Sequence, residues 1–78
     1  MYLEIDMNSA IQLLDVVALT DDLPDRGLGR GQVGTVVEFL APDAVEVEFT
    51  DDDGRTYASL ALRSSQIMVL YYRPLQVA

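Results

Sequence analysis

The sequence contains no cysteine and no histidine among its 78 residues, and it has neither tryptophan nor lysine. The first two absences exclude disulfides, thiol chemistry, zinc sites with nitrogen or sulfur ligands and proton transfer by histidine. No histidine or lysine is available to activate a serine hydroxyl. The carboxylates fall mainly in turns and on a solvated strand face, which suits acid–base catalysis poorly. We therefore expect no catalytic residue and no cofactor.

Long apolar runs and a cationic leader are also missing. No apolar run approaches the roughly 20 residues that span a bilayer, and the opening "MYLEIDMNSA" carries acids where a secretory signal carries cations. We expect a cytoplasmic protein without membrane contact. A chain of 78 residues has room for one domain with a thin core. A partner or a second copy would add to its stability, and the sequence leaves the oligomeric state open.

Cations are scarce, since five arginines face 13 carboxylates and the net charge is −8. This charge repels phosphate backbones and attracts basic proteins, so we expect a basic protein partner and no nucleic acid. Simple solubility is the plain alternative. The lack of lysine argues against it, because selection for solubility alone gives little reason to avoid cations. The acids predicted to bind the partner are Asp21, Asp22, Asp25, Glu46, Glu48, Asp51 and Asp52, and Asp53 adds to the same acidic surface.

Five short apolar segments are present, and each is typical of a β-strand. In "AVEVEFT" the apolar residues alternate with Glu46 and Glu48, which indicates a half-buried strand. Gly34 lies inside another segment and indicates a bend or a close backbone approach. The predicted strands are 13–19, 33–40, 44–50, 55–62 and 67–72.

The connections between these segments favour an all-β fold, a small five-stranded barrel. Residues 20–32 are rich in glycine and predict a long loop. Asp53-Gly54 supplies the left-handed conformers of a hairpin turn, and "RSSQ" predicts a short link with one 3₁₀ turn. The predicted organisation is an N-terminal extension at 1–12, forming an arm or a helical turn, a barrel at 13–73 and a tail at 74–78.

Two motifs resemble ligand sites but lack the necessary context. The glycines of "RGLGRGQVG" lead into a strand, whereas a phosphate loop opens a helix. The run "DDDG" places Arg55 at a position where a calcium loop needs an oxygen ligand. We therefore expect no metal and interpret the first segment as a shaped loop and the second as a hairpin turn.

The C-terminal "YYRPLQVA" places Tyr71 and Tyr72 at the end of the last predicted strand. Tyrosine is favoured at protein interfaces, so both residues are candidate contact residues. The alternative is that they tuck under the barrel.

Residues 15–49 resemble the KOW-type, SH3-like motif, in which a strand, a loop and a "G-x-V" strand start recur in ribosomal and transcription proteins. The basic loop residues of that family have no counterpart here beyond Arg26 and Arg30. We therefore expect this chain to share the fold of that family but not its RNA binding.

A second resemblance rests on five segments that occur in order: "LLDVVALTDDLP", "GLGRGQVGTVVE", "VEVEF", "DGRTYA" and "LRSSQIMVL". They closely resemble a family of short bacterial proteins, common in cyanobacteria, catalogued as domain of unknown function forty-nine twenty-six. The resemblance implies an SH3-like barrel with no assigned chemistry. It also implies an antitoxin or immunity protein, because members are encoded beside a small toxin-like protein that resembles a ribonuclease.

Our leading hypothesis is therefore a non-catalytic protein that neutralises a basic, toxin-like partner. The rival hypothesis is an accessory subunit of a larger bacterial complex, bound through the tyrosine tail. An RNA-binding module ranks third, because the charge opposes it.

Overall fold

The computed structural model describes residues 11–71, which form one antiparallel sheet of five strands. The predicted all-β class is confirmed, and closure of the sheet into a barrel stays a prediction. The order of the strands across the sheet is β4-β3-β2-β1-β5. The strands are β1 (Val16–Leu19), β2 (Val33–Ala41), β3 (Ala44–Thr50), β4 (Thr56–Arg63) and β5 (Ile67–Val69).

Strand β3 lies between β2 and β4 and supplies the centre of the core. Val45, Val47 and Phe49 are buried, while Glu46 and Glu48 lie half-buried on the opposite face. This confirms the predicted alternation, since successive side chains of a strand point to opposite faces. The remaining members of the core cluster are Val17, Leu19, Leu28, Val36, Leu60, Leu62 and Ile67.

Gly34 of β2 pairs with Val17 of β1 and lies against β3. A Cβ atom at this position would lie 2.6 Å from Val47 Cγ1, 2.9 Å from the Glu48 carbonyl oxygen and 3.0 Å from Phe49 Cδ2. The predicted close backbone approach is therefore confirmed, because no side chain fits between these strands.

Strand β2 is irregular in its second half. Its register against β3 shifts between Val36 and Glu38 and again between Phe39 and Ala41. Each shift leaves one β2 residue without a partner in the β3 register, first Val37 and then Leu40. Such bulges bend a strand and redirect its side chains.

The first strand begins three residues later than predicted, at Val16 instead of residue 13. The Asp15 N–H donates to the Gln12 carbonyl at 3.1 Å and closes a turn over residues 12–15. Leu14 is the third residue of this turn and has φ 70°. A left-handed residue cannot continue a strand, so β1 starts only after the turn.

The hairpin between β3 and β4 is confirmed, but only one of its two predicted left-handed residues is left-handed. Gly54 has φ 81°, and Asp53 does not have a positive φ. The Asp51 carboxylate accepts the N–H groups of Asp53 and Arg55, both at 2.9 Å, and fixes the turn from its first residue. The Asp51 carboxylate therefore stabilises the turn, which does not need a second left-handed residue.

The two remaining connections each contain a 3₁₀ turn. The long loop between β1 and β2 contains a 3₁₀ turn, Pro24–Arg26, and the bridge between Leu23 and Leu28 fastens it, with Leu28 buried in the core. The predicted 3₁₀ turn after β4 is confirmed at Ser64–Gln66. Strand β5 ends at Val69, earlier than the predicted residue 72.

Candidate functional site

The predicted partner-binding acids of the loops lie at one end of the sheet. Strands β1 and β3 end there and β2 and β4 begin there, so residues 20–32 and 51–55 are brought to the same end. A hydrogen bond from the Gln32 side-chain amide to the Tyr57 hydroxyl, 3.0 Å, joins the end of the first connection to the start of β4. We call this the loop end. Its acids are exposed: Asp21, Asp22, Asp25, Asp51, Asp52 and Asp53.

The loop end is less acidic than the sequence suggested, because it also holds Arg26, Arg30 and Arg55. Two of its acids also have structural partners. Asp22 Oδ1 accepts the Arg30 N–H at 2.8 Å and holds the long loop closed, and Asp51 holds its own hairpin. Local bonds of this kind are what Asp commonly makes in turns. These bonds explain why Asp22 and Asp51 occur in the loops without invoking a protein partner.

The acids of the strands form a second group, on the outer face of β2 and β3. Glu46 and Glu48 lie there as predicted, and Glu38 lies directly opposite Glu46 on β2. The Ser59 hydroxyl donates to Glu46 Oε2 at 2.8 Å and orients this carboxylate. We call Glu38, Glu46 and Glu48 the acidic face.

Two glutamates in direct cross-strand register repel each other, because paired residues bring their Cβ atoms within about 4.5–5.5 Å. Glu38 and Glu46 are such a pair. Like charges in direct register are unfavourable, and the hydrogen bond from Ser59 holds Glu46 Oε2 on the β4 side of its strand. The acidic face therefore concentrates negative charge on two neighbouring strands.

Exposed apolar side chains lie on either side of Glu38 along β2. Val37, Phe39 and Leu40 are all exposed, the last two at 53% and 45%. On the β1 side, within residues 11–71, no strand pairs with β2 beyond Val36. We call Val37–Leu40 the open edge.

The tyrosines were the other predicted contact residues. Tyr71 follows β5 and is 61% exposed, so its ring is accessible to a partner. Tyr72 lies outside the described residues, as do the extension up to residue 10 and the tail at 74–78. Within residues 11–71, no group of acids is arranged to hold a metal ion. The described part of the chain also contains no helix long and apolar enough to cross a membrane.

Sequence reasoning missed Glu38 and the open edge. Glu38 stands in an apolar run without clean alternation, so its face could not be assigned. Two bulges cause this irregularity, since each extra residue reverses the faces of the residues that follow. The adjacent charge and apolar residues of "VVEFLA" were the only available signal.

A family model matches most of the described chain. It covers residues 13–69 and is described as Domain of unknown function (DUF4926). No curated protein and no solved structure shows significant similarity to the chain. The matched range begins in the turn before β1 and ends at the last residue of β5, so it contains every strand of the sheet. The chain therefore belongs to the DUF4926 family.

Proposed function

We propose that this protein is a non-catalytic binding protein that neutralises a basic protein partner, acting as an antitoxin or immunity protein against a co-encoded toxin of the ribonuclease kind. The observation that carries this proposal is the acidic face, in which Glu38 and Glu46 oppose each other and a Ser59 hydrogen bond orients one of them. A basic partner would supply the missing countercharge.

The physical role of the acidic face is to steer and to discriminate. Complementary charge raises association rates and suppresses wrong partners, and its effect falls as salt screens the charges. A net charge of −8 on a chain of 78 residues extends this attraction beyond the contact surface. Such a surface repels RNA and would occupy a cationic RNA-binding site of the partner in place of the RNA.

The test is a binding titration against the basic protein encoded by the neighbouring gene. Replacing Glu46 and Glu48 together with lysine changes the net charge from −8 to −4. We expect the affinity to fall about tenfold to a thousandfold, or roughly 1.5–4 kcal/mol, which is typical of close charged contacts. Association should also slow steeply as salt rises.

A matched control separates contact from general attraction. Replacing Asp52 and Asp53 with lysine makes the same change in net charge at the loop end, on exposed residues. We expect this pair to lower affinity much less than the Glu46/Glu48 pair. Full affinity of the Glu46/Glu48 variant without salt dependence would remove the acidic face from the function. Urea unfolding of both variants checks that the fold is retained.

The exposed ring of Tyr71 favours the second candidate, an accessory subunit bound through its C-terminal tyrosines. Under this alternative, Tyr71→Ala and Tyr72→Ala weaken binding to the partner, while the Glu46/Glu48 variant binds normally. The same titration therefore distinguishes the two functions.

A further inference from the structure

The open edge, Val37–Leu40, is a strand segment that pairs with no strand on its β1 side within residues 11–71. Val36 is the last β2 residue joined to the N-terminal segment within residues 11–71. Its N–H donates to the Asp15 carbonyl at 2.9 Å, and its carbonyl accepts the Leu14 N–H at 2.7 Å. On its other side β2 stays paired with β3 as far as Ala41. An edge of this kind is a template to which another strand can be added.

The turn over residues 12–15 is what leaves the edge open. If β1 extended backwards without a turn, it would continue along β2 past Val36, since the two strands run antiparallel. Leu14, with φ 70°, turns the chain away at this point. Leucine rarely adopts this conformation, which costs roughly 1–2 kcal/mol. The pairing of residues 11–19 with β2 thus ends at Val36, at a strained residue.

The open edge carries part of the protection that native strand edges have. Charged residues, proline, bulges or a covering segment protect such edges, and here Glu38 and the two bulges of β2 supply some of it. Val37, Phe39 and Leu40 are nevertheless exposed. Contiguous exposed apolar side chains bordered by polar residues mark interaction sites.

The charges around the edge indicate what could cover it. Glu38 belongs to the edge, and Glu46 pairs with it on β3 with its carboxylate bonded to Ser59 of β4. Asp15 and Asp43 lie at the two ends of the edge, in the turn before β1 and the turn after β2. A second copy would bring another −8, and residues 1–10 would bring Glu4 and Asp6 without an arginine or lysine. Both occupants meet repulsion, whereas a cationic strand meets attraction.

We propose that the open edge binds an extended, cationic segment of the protein partner, which adds to the sheet beside β2. Backbone hydrogen bonds would supply affinity, and cationic side chains would meet Glu38 and Glu46 while apolar ones cover Phe39 and Leu40. This inference rests on the proposed function, because it names the surface and the chemistry through which the basic partner is bound.

The first test uses the full chain, isotopically labelled, and a synthetic peptide of about nine alternating lysine and valine residues, a length typical of a strand. Backbone amide signals of residues 37–40 should shift on titration. The Phe39→Ala/Leu40→Ala variant should bind the peptide at least about tenfold more weakly. Met68→Ala is the matched control, because Met68 is also 53% exposed but lies on β5, and it should bind within about twofold of the unchanged protein.

Two control peptides test the chemistry. A peptide with glutamate in place of lysine should not bind, and a cationic peptide N-methylated at every residue should lose most of its affinity, because neither of its edges can then donate to β2. Equal binding of the methylated peptide would show that charge alone is responsible and would overturn strand addition. Signal shifts confined to residues 20–32 and 51–55, or no binding, would also overturn it.

The free protein provides a further check. Those amides of residues 37–40 that point away from β3 should exchange freely in dilute solution, and their protection would show that the chain covers its own edge. Protection that rises with protein concentration would show a second copy there. Either result contradicts the inference. If the neighbouring-gene protein binds but ignores the Phe39→Ala/Leu40→Ala change, the inference fails and the proposed function stands. If that protein does not bind while the peptide does, the proposed function fails.

Discussion

Replacing Gly34 with alanine places one methyl group into the close contact between β2 and β3. The new carbon would lie 2.6 Å from Val47 Cγ1, about 1 Å closer than the 3.5–4.0 Å of an ordinary carbon contact. It would also lie 2.9 Å from the Glu48 carbonyl oxygen, which belongs to the β3 backbone and cannot rotate away. Val47 and Phe49 are completely buried, so they too have little room to move.

Overpacking in a well-packed core typically costs 1–3 kcal/mol, and we expect a value of about 3 kcal/mol because both backbone and side chains must shift. The total free energy of unfolding of a chain of this size is roughly 4–12 kcal/mol. Urea unfolding followed by circular dichroism should therefore show a large loss of stability. With a slope of about 1 kcal/mol/M, the midpoint should fall by about 2–3 M.

Gly29→Ala is the matched control. Its new carbon would meet only Asp22 Oδ1 at 3.6 Å and Gln32 Oε1 at 3.7 Å, which are ordinary contacts. Its stability should be unchanged or raised by up to about 1 kcal/mol, since alanine restricts the unfolded chain. Removing volume from the clash with Val47→Ala should partly rescue Gly34→Ala in a double-mutant cycle. A Gly34→Ala protein within about 0.5 kcal/mol of the unchanged protein would refute the reasoning.

Three further outcomes are expected. Asp51→Ala removes the acceptor of two N–H groups and should lower the free energy of unfolding by about 1–2 kcal/mol, whereas Asp52→Ala should change it by less than about 0.5 kcal/mol; equal effects would contradict the role of Asp51 in the turn. Leu14→Gly should raise the free energy of unfolding, measured by urea titration, by about 0.5 kcal/mol, because glycine adopts the left-handed conformation without strain. Leu13→Gly should lower it by about the same amount. In a filter assay at physiological salt, generic RNA should not bind, and micromolar, salt-sensitive binding would show the charge argument to be wrong.

The regular parts of the sheet could be predicted because local pattern and tertiary pairing agree there. The alternation from Val45 to Phe49 specifies both the strand and its buried face. Gly54 marks its hairpin through a conformation that only glycine adopts easily. Gly34 indicated a close approach within an otherwise apolar strand, and the structure shows the atoms responsible.

The irregular parts could not be predicted, because pairing overrides local preference there. Nothing about leucine predicts φ 70° at Leu14, which is held by hydrogen bonds to a distant strand. The bulges of β2 depend on its register against β3, and they decide where Glu38 and Phe39 lie. The sequence therefore predicted that the candidate site is acidic, but it did not predict where on the sheet the site lies. Glu46 and Glu48 were assigned to it, while Glu38 and the open edge required the structure.

The pairing of β1 with β5 also determines the order in which the sheet can form. Strands β2, β3 and β4 follow one another through short turns, so their hairpins close small loops. Val17 and Val69, by contrast, come together across most of the chain, and long loops carry the larger entropic cost of closure. The three-stranded meander should therefore assemble first, with β5 added last and released first. A newly made chain would then present the acidic face, which lies wholly on β2 and β3, before its last strand has docked.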